Sequence, residues 1–407
     1  MNPYFIPASV LLPKKEIDLT KWAVIACDQY TSEPEYWERA ENIVGSAPSA
    51  LSLILPELYL GTKDETSRID RIHETMREYE KSVLAPTPVT YLYVERTQPD
   101  GRVRRGIVGA VDLEQYSFAS DTKKAVRATE GTVLSRIPPR VRVRRGAPLE
   151  LPHVLLLADD PDMTLFEKIV SPAFGGELCY DFDLMLGGGH LRGYLCDPQT
   201  VDAIDRAITA LAAKDEFLFA VGDGNHSLAS AKQHYEDLKK TMTEEEAAAH
   251  PARYALCEVE SLYDEALDFE PIYRVLFGAD PEDVLSAFAA YRTPGEASHC
   301  ITLLIGERKE TVYLPKSAHP LAVGALQPIL DEYLSTHAGT SVDYIHGEES
   351  LAALAKRPGA VGFLFAGMQK YDLFPSVRIG GSLPRKTFSM GHADDKRFYM
   401  EARRIEK

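Results

Sequence analysis

Residues 216–231 read Glu-Phe-Leu-Phe-Ala-Val-Gly-Asp-Gly-Asn-His-Ser-Leu-Ala-Ser-Ala. The apolar run at 217–221 predicts a buried strand, and the Ala- and Leu-rich pattern that follows predicts a helix. The strand breaks at Gly222-Asp223-Gly224, and Asn225 or Ser227 can cap the helix. Backbone N–H groups at such a helix start point outward, and the helix dipole favours an anion such as phosphate there. The turn therefore predicts either an anion-binding site or a polar helix cap.

The composition is that of an acidic globular protein. The 407 residues carry a formal net charge of −16, and 45% of them are hydrophobic, enough for a sizeable core. The negative charge argues against a nucleic-acid partner. The sequence has no run of 18 apolar residues and no secretory signal, so we expect no membrane partner. Five scattered cysteines without a C-x-x-C pair fit a reduced cytoplasm.

The order of apolar runs and turns predicts an α+β fold: a mixed sheet with hairpins and flanking helices. One hairpin joins strands at 89–95 and 103–111, and a second joins strands at 300–305 and 311–314. Helical spacing predicts helices at 67–82, 198–213, 229–241, 281–291 and 321–334. We expect three parts: an N-terminal α/β part with a hairpin at 1–120, a core at 121–275 and a C-terminal α/β part at 276–407.

A pair of carboxylates precedes a run of three glycines. Asp181 and Asp183 are two residues apart, so on a strand they face the same way and could hold Mg²⁺. Ordinary acids at a strand end are the alternative. His190 follows Gly187-Gly188-Gly189, which would let a ligand approach closely, although a structural histidine fits as well.

The segment 127–132 combines an arginine, a carboxylate and a hydroxyl. Glu130 could act as a general base and Arg127 could bind phosphate, while a helix N-cap is also consistent with this segment. The common phosphate-loop, zinc-protease, nucleophile-elbow and full dinucleotide signatures are absent from the sequence.

Several of these segments occur in an order that resembles the prokaryotic family called domain of unknown function 1015. The family's D-G-H-H-R turn is similar to the residues at 223–227, with Asn225 and Ser227 where the family has histidine and arginine. Thr129 stands where the family has another histidine. Further similar segments lie at 189–198, 129–132, 260–264, 271–274 and 383–387.

The D-G-x-H turn also resembles that of the ParB and sulfiredoxin superfamily, which includes the archaeal free serine kinase. This resemblance implies a ParB/sulfiredoxin-like central part at 121–275 that holds the phosphates of ATP or ADP on the turn. It also implies phosphoryl transfer to a small hydroxylated substrate, with a carboxylate as base and Mg²⁺ as the charge partner. Phosphoryl transfer needs mainly positioning and charge neutralisation, so such a turn is compatible with the reaction.

The predicted function is thus a cytoplasmic, nucleotide-dependent phosphotransferase acting on a small hydroxylated metabolite such as serine. A nucleotide-binding regulatory protein with little catalysis and a phosphoester hydrolase are the alternatives. The predicted catalytic residues are Glu130 as base, His226 and Asp223. The predicted ligand-binding residues are Gly222, Gly224, Asn225, Ser227, Arg127, His190 and Lys386, with Asp181 and Asp183 as metal ligands.

Overall fold

The computed structural model of the chain describes residues 2–167, 169 and 174–406. The chain divides into two compact units, Met1–Leu267 with His392–Lys407, and Asp268–Gly391. These limits differ from the three predicted segments, because strands from 1–120 and from 121–275 share one sheet in the first unit. None of the described helices combines the length and apolar character needed to span a bilayer.

The described residues form strands and helices that do not alternate strictly along the chain. In chain order the strands are β1 (Phe5–Ile6), β2 (Leu11–Pro13), β3 (Val24–Ile25), β4 (Leu84–Pro86), β5 (Leu92–Thr97), β6 (Val103–Asp112), β7 (Tyr116–Ser117), β8 (Val126–Ala128), β9 (Leu149–Glu150), β10 (Leu155–Ala158), β11 (Glu177–Asp183), β12 (His190–Leu195), β13 (Phe219–Asp223), β14 (Tyr254–Ser261), β15 (Phe269–Phe277), β16 (Ser298–Ile305), β17 (Arg308–Pro315), β18 (Ser341–His346), β19 (Val361–Phe365), β20 (Phe388–Met390), β21 (Phe398–Tyr399) and β22 (Arg403–Arg404). The helices are α1 (Leu19–Trp22), α2 (Pro34–Val44), α3 (Glu65–Ser82), α4 (Ile137–Arg144), α5 (Pro198–Lys214), α6 (Asn225–Lys239), α7 (Glu244–Ala248), α8 (Pro281–Ala287), α9 (Ala322–Thr336), α10 (Glu348–Ala355) and α11 (Leu373–Gly380).

A ten-stranded mixed sheet organises the first unit. Its order is β11-β12-β5-β6-β14-β10-β13-β8-β7, and β1 pairs with β6. The β5–β6 hairpin pairs Leu92 with Val108 and Thr97 with Val103, close to the predicted limits. Strands β13 and β8 run parallel, whereas β10 runs antiparallel to β13. The predicted α+β class with a mixed sheet, hairpins and flanking helices is confirmed.

Alternating side chains place apolar groups on both faces of this sheet. Leu92 and Val94 belong to one buried cluster, and Tyr91 and Tyr93 belong to another. Successive side chains of a strand point to opposite faces, so the two clusters lie on opposite sides of β5. The sheet is therefore buried between two apolar layers, and polar side chains can gather where its strands begin and end.

A second sheet organises the second unit. Its strands follow the order β17-β16-β19-β15-β18, and β20 pairs with β15. The pairs are antiparallel, and the β16–β17 hairpin pairs Ser298 with Pro315 and Ile305 with Arg308. The second predicted hairpin is thus confirmed, with strands longer than its apolar pattern indicated.

The C-terminal segment 392–407 belongs to the first unit, where β21 pairs with β3 and β22 pairs with β9. The guanidinium of Arg397 donates hydrogen bonds of 2.7 Å to the carboxylates of Glu258 and Glu401. All three side chains are at most 5% exposed. A buried charge is costly unless it is paired and hydrogen-bonded, so these contacts hold the segment in one position.

Replacing Arg397 by methionine removes the partner of two buried carboxylates. We expect Arg397→Met to lower the free energy of unfolding by about 3–5 kcal/mol, as for other broken buried ion pairs. The matched control is Arg404→Met, because the half-exposed Arg404 pairs at the surface with Glu80, and such pairs contribute about 0–1 kcal/mol. Urea unfolding followed by circular dichroism measures both, and equal small losses would contradict the assignment.

A second buried carboxylate on β14 lies beside a different arginine. Oε1 of Glu260 is 2.8 Å from Nε of Arg104, but neither Glu260 oxygen has hydrogen-bond geometry to any described group. Burial raises the pKa of Glu260 to about 8, with Arg104 opposing the rise and Glu258 adding to it. The folded carboxyl therefore keeps a proton at pH values where the unfolded one has released it.

This raised pKa makes stability depend on pH. Between about pH 4.5 and 8 the folded state binds the extra proton, so the contribution of Glu260 to stability falls as pH rises, by at most about 1.4 kcal/mol per pH unit. We expect Glu260→Gln to lose less stability than the wild type between pH 6 and pH 8. Urea unfolding at both pH values measures the free energy of unfolding. If this free energy changes equally with pH in the variant and the wild type, the folded Glu260 is ionised over the whole range.

Candidate functional site

The turn between β13 and α6 has the geometry of an open helix start. Gly224 takes the N-cap position at φ 77°, and its N–H donates to the side chain of Asp223 at 2.8 Å. The first helical bond runs from the Leu228 amide to the Gly224 carbonyl at 3.0 Å. The amides before Leu228 thus belong to the first turn, whose N–H groups have no acceptor within a helix. Asn225 and Ser227 lie inside the helix and do not cap it.

Gly224 is also held by close packing. A Cβ at this position would lie 3.0 Å from Cγ2 of Val154, 3.1 Å from its Cα and 3.4 Å from Cδ2 of His153. A left-handed φ already disfavours side chains with a Cβ. The position therefore requires glycine on two grounds, and it brings the turn against the residues that precede β10.

The predicted segment 127–132 lies beside the turn. Strands β8 and β13 are parallel neighbours, so their carboxyl ends meet at the same edge of the sheet. The Thr129 N–H donates to Oδ1 of Asn225 at 3.3 Å, and the Val133 N–H donates to Nε2 of His226 at 3.3 Å. Glu130 is half-buried in the same loop. The structure thus brings Glu130, Asn225 and His226 to one edge of the sheet, and their predicted roles stay predictions.

Arg127, the predicted phosphate partner, is oriented differently. Its Nε donates to the Lys124 carbonyl at 2.8 Å, and its guanidinium carbon lies 4.6 Å from the ring centre of Phe217. Phe217 precedes β13, whereas the turn follows it. The guanidinium is therefore directed toward the end of β13 opposite the turn, and the structure does not bring it to the Asp223 side.

Four residues that the sequence analysis missed surround the turn. Nζ of Lys396 lies 3.3 Å from Oδ2 of Asp223, and both side chains are largely buried. Nδ1 of His153 is 2.7 Å from the hydroxyl of Tyr399, and its Nε2 is 3.9 Å from Oδ2 of Asp28. A lysine, a histidine, a tyrosine and a second carboxylate thus converge on the helix start.

Hydrogen bonding fixes the roles of these groups. The Tyr399 oxygen accepts from the Cys27 N–H at 3.1 Å, which leaves its own proton free to be donated to Nδ1 of His153. A proton on Nε2, in the neutral ring or in the imidazolium whose charge lowers the pKa of Asp28, is directed at that carboxylate. Burial would raise the pKa of Asp28, but His153, Gln29 and Lys396 outweigh it and lower this pKa below its ordinary value. Asp28 is accordingly an ionised, partly exposed carboxylate at neutral pH.

The predicted metal ligands lie together on the β11–β12 hairpin. Nδ1 of His190 is 2.7 Å from Oδ1 of Asp183, and Nε2 is 2.5 Å from Oδ1 of Asp181. Arg192 donates to the other oxygen of Asp181 at 3.1 Å. The two carboxylates contact opposite edges of one imidazole, so they do not converge on a common point in this arrangement. Their metal role and the substrate contact of His190 stay predictions.

Lys386, the other predicted phosphate partner, belongs to the second unit. Its carbonyl accepts from Arg274 at 2.9 Å, and its ammonium lies 4.7 Å from the ring centre of Tyr344. These contacts describe Lys386 within its own unit, and a role in binding phosphate stays a prediction.

Comparison with protein families gives a match over most of the chain. The model of the family described as "Protein of unknown function (DUF1015)" matches residues 10–335. The chain belongs to this family. The predicted resemblance to DUF1015 is thereby confirmed, and the matched range includes Asp28, His153 and the whole strand-to-helix turn.

Solved structures that resemble this DUF1015 protein share little of its sequence. A mutant of free serine kinase in complex with ADP is 10% identical with a TM-score of 0.39, over 75% of this chain and 93% of that chain. A conserved hypothetical protein from Pyrococcus furiosus is 12% identical with a TM-score of 0.35, over 73% and 94%. SbnI with a C-terminal truncation from Staphylococcus aureus is 10% identical with a TM-score of 0.36, over 70% and 82%. No curated protein matches the chain.

The close packing of Gly224 gives a direct test of the turn. We expect Gly224→Ala to destabilise the protein by about 1–2 kcal/mol for the left-handed backbone and by about 1–3 kcal/mol more for the contact with Val154. The control is Gly61→Ala, because Gly61 has the same φ of 77° but open space where the alanine methyl group would lie. Thermal unfolding measures the loss of stability in both variants. Equal losses would show that Val154 moves to accommodate the methyl group without cost.

Proposed function

We propose that the first unit is a cytoplasmic, Mg²⁺-dependent phosphotransferase that uses ATP or ADP to phosphorylate a small hydroxylated metabolite. The observation that supports this most is the convergence of Lys396, His153 and Asp28 on the start of α6. This arrangement combines groups that attract phosphate with a carboxylate that can accept a proton. Free serine kinase, whose solved structure contains ADP, is an enzyme of the proposed class.

The start of α6 and Lys396 form the anion-binding half of the proposed site. The first-turn amides and the helix dipole favour a phosphate group. The turn carries serine at position 227, where the family resemblance has arginine, so it lacks a fixed positive charge of its own. Lys396 lies against Asp223 at 3.3 Å and supplies a cation at this place. In the proposal, the nucleotide phosphates bind between the helix start and Lys396.

Asp28 is the base that the geometry favours. Its carboxylate is ionised and partly exposed, and the Nε2–H of His153 faces it. In the reaction the substrate hydroxyl gives its proton to the carboxylate, its oxygen bonds to phosphorus, and the bond from phosphorus to the departing nucleotide breaks. Glu130, the base predicted from the sequence, lies in the neighbouring loop and is the competing candidate.

The donor set also fits a magnesium ion. The carboxylates of Asp28 and Asp223 are hard oxygen ligands of the kind that Mg²⁺ prefers, and Lys396 acts electrostatically on both. Asp223 would hold the ion, which would supply charge neutralisation for the phosphate oxygens, and Asp28 stays available as the base.

Nucleotide binding is the first test of the proposal. Calorimetry with ATP and ADP, with and without Mg²⁺, should show binding to the full chain. Lys396→Met should weaken it about ten- to a hundredfold, the usual value of a charge-assisted contact. Lys240→Met is the control, because Lys240 directly follows α6 at the surface and pairs with Asp237. Absence of heat with every nucleotide would overturn the proposal.

Catalysis is tested on the same protein with a phosphate-transfer screen over hydroxylated metabolites. Asp28→Asn should lower kcat about a hundredfold or more, as expected for loss of a general base, while nucleotide binding persists. Glu130→Gln is measured beside it, and a loss confined to that variant would assign the base to Glu130 instead. Nucleotide binding without any transfer would favour the regulatory alternative, which the substitutions at positions 225 and 227 also fit.

A further inference from the structure

An apolar pocket adjoins the proposed phosphate site. Its lining combines aliphatic side chains with two arginine–glutamate pairs, and it also includes His153, Ser227 and Tyr399. His153 and Tyr399 are the hydrogen-bonded pair beside Asp28, and Ser227 belongs to the first turn of α6. The pocket therefore shares these three residues with the surroundings of the proposed phosphate site. Its aliphatic lining includes Leu53, Ile54, Leu55, Met76 and Leu149.

The charged groups around this pocket are already paired with one another. Arg140 is bonded to Glu57, and Arg144 pairs with Glu150 at 2.5 Å. Each of these side chains is less than one-fifth exposed. A polar ligand group placed beside the aliphatic part of the lining would give up its bonds to water there, which is costly. An apolar group gains free energy from the same burial.

The volume of the pocket limits its occupant. The pocket holds about 130 Å³, slightly less than the roughly 150 Å³ aliphatic cavity that accepts benzene in an engineered protein. A phenyl ring or a branched chain of about five carbons fits this space. A purine carries several polar edge atoms and matches the aliphatic part of the lining less well.

We infer that the phosphoryl acceptor carries an apolar side group of this size, aliphatic or aromatic, which occupies the pocket. Its hydroxyl then lies near His153, Ser227 and Tyr399, on the side of the Asp28 carboxylate that takes the proton. The inference rests on the proposed function and specifies its substrate. Free serine has no apolar group to fill the pocket, so serine is not the preferred acceptor.

Binding to the full chain tests the pocket without nucleotide. The probes are 3-methylbutan-1-ol and benzyl alcohol, with ethanol, L-serine and adenine for comparison, in a chemical-shift titration. Each buried methylene should tighten binding about fourfold, so 3-methylbutan-1-ol should bind at least tenfold more tightly than ethanol. No binding of either alcohol, or their displacement by adenine, would overturn the inference.

Two variants assign the binding to this pocket. Ala147→Leu places extra carbons into the lining, so it should lower the affinity for 3-methylbutan-1-ol at least tenfold. Ala40→Leu on α2 is the control, because Ala40 is buried outside the lining and its replacement should leave this affinity unchanged. Leu55→Ala enlarges the pocket and should shift the preference toward benzyl alcohol. Unchanged affinities in both folded variants would place the alcohols elsewhere and contradict the inference.

Turnover then separates this inference from the proposed function. In the presence of Mg²⁺ and nucleotide, kcat/KM for the two alcohols should exceed that for L-serine at least tenfold. Transfer to L-serine with equal or greater efficiency would refute the inference and leave the phosphotransferase intact. Alcohol binding without nucleotide binding would refute the phosphotransferase and, with it, the role of the alcohol as an acceptor.

Discussion

The buried contact of Arg397 with Glu258 and Glu401 holds the candidate site together. The three charges lie almost completely out of solvent, where removing any partner leaves an uncompensated ion. Arg397 is one residue after Lys396 and two before Tyr399, so fixing its guanidinium fixes both. The last residues of the first unit thus act as part of its core, although they are separated in sequence from the turn that they support.

The direction of the strands explains why the other groups meet at the same place. Strand β10 is antiparallel to β13, so β10 begins where β13 ends, and His153 just before β10 packs on Gly224 just after β13. Strand β8 is parallel to β13, so the loop after β8 arrives at the same edge. In this mixed order the start of β10 and the ends of β13 and β8 lie side by side at one edge of the sheet. Three neighbouring strands in a purely parallel or purely antiparallel order would not bring this combination together.

Local patterns predicted both hairpins, the turn at 222–227 and helices such as α3, α5 and α9, because each depends on neighbours within a few residues, whereas α2, α4, α10 and α11 were not predicted. Which residues surround the turn was not predictable in this way. Asp28 and His153 each adjoin a short apolar strand, which is a weak signal, and Lys396 has no local signal at all. Their proximity arises only from strand pairing and from the buried contacts of the C-terminal segment. The side-chain direction of Arg127 likewise depends on packing against Phe217 rather than on spacing.

Ser227 links the two halves of the proposed site. It lies in the first turn of α6, where phosphate is favoured, and it also borders the apolar pocket. An arginine at this position would place a long, charged side chain at the pocket's edge and would compete with apolar burial there. A small serine leaves the pocket open, while Lys396 brings a positive charge to the turn from a distant part of the chain. The serine at position 227, where the resembled turn has arginine, is therefore consistent with both the proposed acceptor and the proposed phosphate site.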